Sequence, residues 1–113
     1  MNRCILRIAQ TLFFACGLVF FFHTSTRAAD SASLFKTKCA MCHAANGSGD
    51  NMMGKRLGAK DLRSSEVQKK TDAELDKEIT DGIPPKMPSY KSTLTAADIK
   101  GLVSYIRELG KKK

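Results

Sequence analysis

The chain has 113 residues, with 19 Lys and Arg against 11 Asp and Glu, a formal charge of +8. That length allows one domain, and no internal repeat or low-complexity linker is visible, which excludes a repeat array or a multidomain enzyme. Four cysteines, two histidines and no tryptophan leave few residues for chemistry, so their positions matter.

Residues 1–28 have the plan of a secretory signal peptide. Arg3 and Arg7 form a basic start, residues 12–22 are an unbroken apolar run, and Thr26 and Ala28 suit cleavage before Ala29. The run is shorter than the roughly 18 residues of a membrane span, so an exported chain is expected, with no span after cleavage; an uncleaved anchor is the alternative. Cys16 follows Phe13-Phe14-Ala15, a poor lipoprotein site, and is read as a bystander. Three arginines leave with the leader. The remaining domain, 29–113, carries 16 basic and 11 acidic residues, a formal charge of +5, and its aromatics are Phe35, Tyr90 and Tyr105. Ordering a chain costs about 1.5 kcal/mol per residue, and so thin a core calls for a large apolar cofactor.

The spacing predicts a first helix over 31–42, capped by Ser31, with Phe35 and Cys39 on one face. It ends in Cys39-Ala40-Met41-Cys42-His43, the C-x-x-C-H pattern of covalent c-type haem attachment. Two thiols about one helical turn apart can each add across a vinyl group on the same edge of a flat ring. The next residue, His43, can then bind the iron. A thioredoxin-like disulfide would need a βαβ setting that is missing. Structural zinc wants four Cys/His ligands, and after cleavage only Cys39, Cys42 and His43 remain.

Residues 44–58 are rich in Gly and Asn and read as a loop lying close to a flat surface. No Gly-Lys-Ser/Thr follows, so a phosphate cradle is rejected. Met52, Met53, Leu57 and Leu62 are expected to line the haem cavity as flexible or apolar filler. A short helix is expected over 64–70, and the next starts at Thr71 with Glu74 in a capping box, buries Leu75 and Ile79, and stops at Gly82. Three prolines then stiffen residues 83–90. Met87 is there either as filler or as a positioned sulfur ligand; Pro85 and Pro88 on its two sides favour the ligand. The last helix starts at Thr95 with Asp98, carries Ile99, Leu102, Val103, Ile106 and Leu109 on one face, and is expected to end at Gly110. Gly101 within it suits close approach by another helix, and Lys111, Lys112 and Lys113 read as a solvated tail.

From about residue 33 to 110 the chain resembles the small class I c-type cytochromes, of the bacterial cytochrome c6 or c553 kind. The resemblance rests on Leu34-Phe35 ahead of the pentapeptide, Gly47-Ser48-Gly49, Met87-Pro88-Ser89-Tyr90, and residues 102–109. It implies an all-α class I cytochrome c fold, about four short helices around one haem c. Cys39 and Cys42 would hold the haem, with His43 as proximal and Met87 as distal ligand. The first and last helices would cross, with Phe35 and Tyr105 near the crossing. Ala44 departs from the glycine many relatives carry after the haem histidine. Such a protein is a monomeric electron carrier between larger redox proteins, in the periplasm or another exported compartment, the thylakoid lumen included. The alternative is a haem subunit, or an anchored cytochrome, of a respiratory or dehydrogenase complex. No pair of side chains is arranged for acid–base or nucleophilic catalysis. Lys36, Lys38, Lys86 and Lys91 flank the haem residues, which points to acidic docking patches on partners; no nucleic-acid partner is expected.

Overall fold

The computed structural model describes residues 25–112. Helices are the regular elements there: α1, Ser25–Lys38; α2, Ala40–His43; α3, Met52–Leu57; α4, Ser65–Gln68; α5, Asp72–Asp81; and α6, Ala96–Lys111. Among the described residues, extended pairing is limited to one isolated bridge, Ile83 to Met87. The all-α expectation holds. Residues 1–24 of the expected leader lie outside the described residues, and α1 runs through the expected junction before Ala29.

Local chemistry accounts for most helix starts. The Thr71 hydroxyl accepts from Glu74 N while the Glu74 carboxylate accepts from Thr71 N, and Thr95 and Asp98 repeat the arrangement at α6. Ser64 caps α4 by accepting from Val67 N at 3.3 Å. Gly82, at φ 72°, closes α5: a Cβ there would fall 2.6 Å from Pro88 C and Ser89 N.

Three expectations need correction. The predicted helix over 31–42 breaks at Cys39: α1 ends at Lys38, and the N–H groups of Cys42 and His43 return to the Cys39 carbonyl, at 3.1 and 2.9 Å, to start α2. Ser31 is no cap, because α1 already starts at Ser25 and Ser31 lies inside it, with its Oγ close to where a Cβ on Gly101 would fall. The stretch 44–58 is not all loop. Asn51 Oδ1 accepts from Gly54 N at 2.6 Å and starts α3, which Gly58 ends in the left-handed conformation. Nor does Gly110 end α6, which continues to Lys111. A Cβ at Gly110 would fall 2.5 Å from the Gln68 side chain, so this glycine makes room for a neighbour.

Leu102 and Phe35 are the most deeply buried large side chains, each about 1 % exposed. The apolar face of α6 (Ile99, Leu102, Val103, Ile106, Leu109) is buried throughout, at about 1.5–3 kcal/mol per large side chain. Both α1 and α5 pack against α6. At the α1–α6 crossing the rings of Phe35 and Tyr105 stand 5.1 Å apart and tilted by 51°, as the resemblance implies. Arg107 ties the α4–α5 corner to α6. It donates to the carbonyls of Gln68 (3.0 Å) and Lys70 (2.6 Å) and to Asp72 Oδ1 (2.7 Å). Gln68 Nε2 adds bonds to the carbonyls of Leu62 and Ile106, at 2.7 and 3.1 Å.

Candidate functional site

Between the helical layer and the proline-rich loop lies a cleft of two lobes, with cavity volumes of about 110 and 240 Å³. Cys39, His43, Lys60, Ile83, Met87 and Tyr90 border both lobes, so the two form one slot. The inner lobe backs onto the core at Phe35, Leu102 and Ile106. The outer lobe opens between Cys42, the end of α3 at Leu57 and Gly58, and the loop at Lys86 and Pro88.

The break at Cys39 creates this geometry. With α1 ended at Lys38, the Lys38 carbonyl accepts the Tyr90 hydroxyl at 2.9 Å. That bond fastens the loop carrying Met87 to the segment carrying the thiols. The bridge between Ile83 and Met87 closes the loop on itself, with backbone bonds of 2.9 Å each way. Met87 is half-buried and packs against the core.

Cys39 and Cys42 are free thiols, both half-buried. Burial, and then the charge of Cys42, push the Cys39 thiol up to about 11, so it is held neutral. His43 Nδ1 lies 3.1 Å from the Lys60 carbonyl. A carbonyl only accepts, so the proton belongs on Nδ1 and the Nε2 lone pair is free to bind a metal. Burial also lowers the His43 pKa, against the smaller raising effect of the Lys60 bond, and so favours the neutral ring a metal needs. The donor set fits haem: an apolar slot, two thiols at one edge, an imidazole with its far nitrogen fixed, and a thioether on the same slot.

The structure brings Cys39, Cys42, His43 and Met87 to this one cleft. It does not bring Met52 or Met53 there. Met52 is 88 % exposed and Met53 is also exposed, on the first turn of α3; Leu57 and Leu62 do border the lobes. The error has a physical source, since a turn-rich loop carries no periodicity to say which way its methionines point. Lys38, Lys60 and Lys86 border the outer lobe, whereas Lys36 and Lys91 do not. Sequence reasoning missed the Lys60 carbonyl, the Tyr90 tether and the Lys70–Glu78 ion pair on the inner lobe. These are contacts across 17, 52 and 8 residues, with no local signature.

Residues 26–106 match the family model described as cytochrome c oxidase, cbb3-type, subunit III. A solved structure titled KustC0563 c-type cytochrome is 30 % identical, with a TM-score of 0.65, over 70 % of this chain and 95 % of that one. A tyrosine-to-phenylalanine mutant of Kustc0563 is 32 % identical at a TM-score of 0.65, over 71 % of this chain and 98 % of that one.

Proposed function

The chain belongs to the c-type cytochromes, and from that premise we propose that it is a one-electron carrier, not an enzyme, with one haem c. Cys39 and Cys42 would hold the haem covalently, and His43 and Met87 would ligate its iron. When bound, haem supplies the one-electron iron couple. The chain's own residues fix that chemistry. The Lys60 carbonyl orients His43, and the Tyr90 tether and the closed loop hold Met87. Ligation by a thioether and an imidazole would favour the ferrous state over what two imidazoles would give, and would leave the iron no place for a substrate. The observation that carries this reading is the shared cleft: His43, with Nδ1 engaged, and Met87 border the same apolar slot.

Optical spectroscopy of the exported protein tests it. Met87→Ala is expected to abolish the Met-ligation band at the red end of the ferric spectrum and to let the reduced protein bind carbon monoxide. Met52→Ala and Met53→Ala are expected to leave both unchanged. Loss of the band in either of those variants, with Met87→Ala unaffected, would move the ligand to α3. Acid–organic extraction that strips haem from the unmodified protein would refute attachment at the two thiols.

Residues 1–28 act as an export signal in this reading, and residues 29–113 work as a monomer in the periplasm or a comparable compartment. Lys38 and Lys86 at the mouth of the cleft meet acidic patches on the partner, so Lys38→Glu with Lys86→Glu lowers the transfer rate at low salt, and a rate flat with ionic strength would reject that docking mode. The description of the matched family supports a second reading, a haem subunit of a terminal oxidase complex. Native fractionation separates the two: a carrier elutes alone, a subunit with the complex.

A further inference from the structure

Three charged residues border the inner lobe, in a wall that is otherwise almost wholly apolar: Lys60, Lys70 and Glu78. Lys60 turns to Glu66, at 2.7 Å, and both ends of that pair are well exposed. Lys70 and Glu78 pair with each other and are only about a third exposed, at 32 % and 36 %. The pair is built from fixed parts. Glu78 stands on α5 between Leu75 and Ile79, both buried. The Lys70 backbone is held at both ends, its N–H by the Val67 carbonyl at 3.1 Å and its carbonyl by Arg107 at 2.6 Å. A surface ion pair has no need of such support and contributes little to stability.

We propose that Lys70 and Glu78 tune the reduction potential of this protein, Glu78 bringing a negative charge to the wall of the cofactor cleft and Lys70 cancelling it. The inference rests on the haem reading of the cleft. An uncompensated carboxylate on the cleft wall would favour the ferric state of a haem bound there by Coulomb attraction, and an uncompensated ammonium would favour the ferrous state. The intact pair presents nearly no net charge, and removing either member leaves the other acting alone. The two are positioning residues for charge; neither is a ligand.

The test is a spectroelectrochemical titration of the haem-loaded protein and its variants at fixed pH, with covalent haem first verified in each by its pyridine haemochrome spectrum. Glu78→Gln is expected to shift the potential upward and Lys70→Gln downward. The double variant falls between them, and Lys70→Arg, which keeps the charge, stays at the wild-type value. A purely structural role would loosen the cleft in both single variants and move both potentials the same way; that result, or a Glu78→Gln potential equal to wild type, overturns the proposal. Should Lys70→Gln fail to load haem, Glu78→Gln and Lys70→Arg decide: an upward shift in the first with none in the second supports it, and anything else overturns it. Absence of covalent haem from the unmodified protein would defeat the cofactor reading itself, a separate and earlier failure.

Discussion

Replacing Ala44 with glycine should stabilise this protein, an unusual direction for a substitution next to a candidate metal ligand. Ala44 caps the end of α2 at φ 59°, ψ 160°. That region is essentially reserved for glycine and costs other residues about 1–3 kcal/mol. The backbone cannot easily relax out of it. Gly47 N donates to the Ala44 carbonyl at 3.1 Å, and Gly49 N donates to the adjoining His43 carbonyl at 2.8 Å. Those bonds turn the chain away from α2 while the His43 ring stays on the Lys60 carbonyl. Glycine removes the strain and gives back about 0.4–1 kcal/mol through the greater freedom of the unfolded chain. The net gain is about 1 kcal/mol, which for a domain of this size raises the melting temperature by about 4–8 °C. Thermal unfolding of the haem-loaded protein, followed by far-ultraviolet circular dichroism, measures it. Ala44→Val is the control and should fall below wild type, since a β-branched residue tolerates positive φ least. If Ala44→Gly melts at or below the wild-type temperature, the strain argument is wrong.

The same assay reads three further changes. Gly54→Ala should destabilise by about 2 kcal/mol or more, because a Cβ there would collide with the carbonyl oxygens of Cys42 and Gly49; unchanged stability would mean that α3 can slide away from α2. Arg107→Ala should cost about 1.5–3 kcal/mol, mostly through the Gln68 and Lys70 carbonyls, whereas Asp72→Ala should cost little because Asp72 is largely exposed; equal losses would make the ion pair the main term. Acid stability should depend on the two capping boxes. Backbone and then side-chain hydrogen bonds from Thr71 lower the pKa of Glu74 from 4.5, and the Thr95 hydroxyl and then its N–H lower that of Asp98 from 3.8. Their contribution is full above those ordinary values and is lost as pH falls through the lowered ones. Glu74→Gln with Asp98→Asn should therefore flatten the acid limb of the stability curve; a limb of unchanged slope would show that other carboxylates govern it.

Short-range chemistry is what the sequence determined by itself. Thr71 with Glu74 and Thr95 with Asp98 form bonds over three residues, so their helix starts were legible without any knowledge of the fold. The period of Ile99, Leu102, Val103, Ile106 and Leu109 likewise revealed a buried face on α6, and C-x-x-C-H pointed to the c-type cytochromes because its pattern lies within five residues. Tertiary structure decided whatever depends on a distant partner. Met52 and Met87 are the same residue type, each in a stretch whose sequence reads as loop. Packing left Met52 in solvent, while the Ile83 bridge and the Tyr90 bond to Lys38 turned Met87 toward the cleft. Gly110 reads as a helix stop until Gln68 is seen lying over it. The tautomer of His43 depends on a carbonyl 17 residues away, and the charge on the inner lobe depends on Lys70 meeting Glu78 across the α4–α5 corner. A hydrogen bond or ion pair between residues far apart in the chain leaves no periodic trace, because only the folded backbone sets their separation.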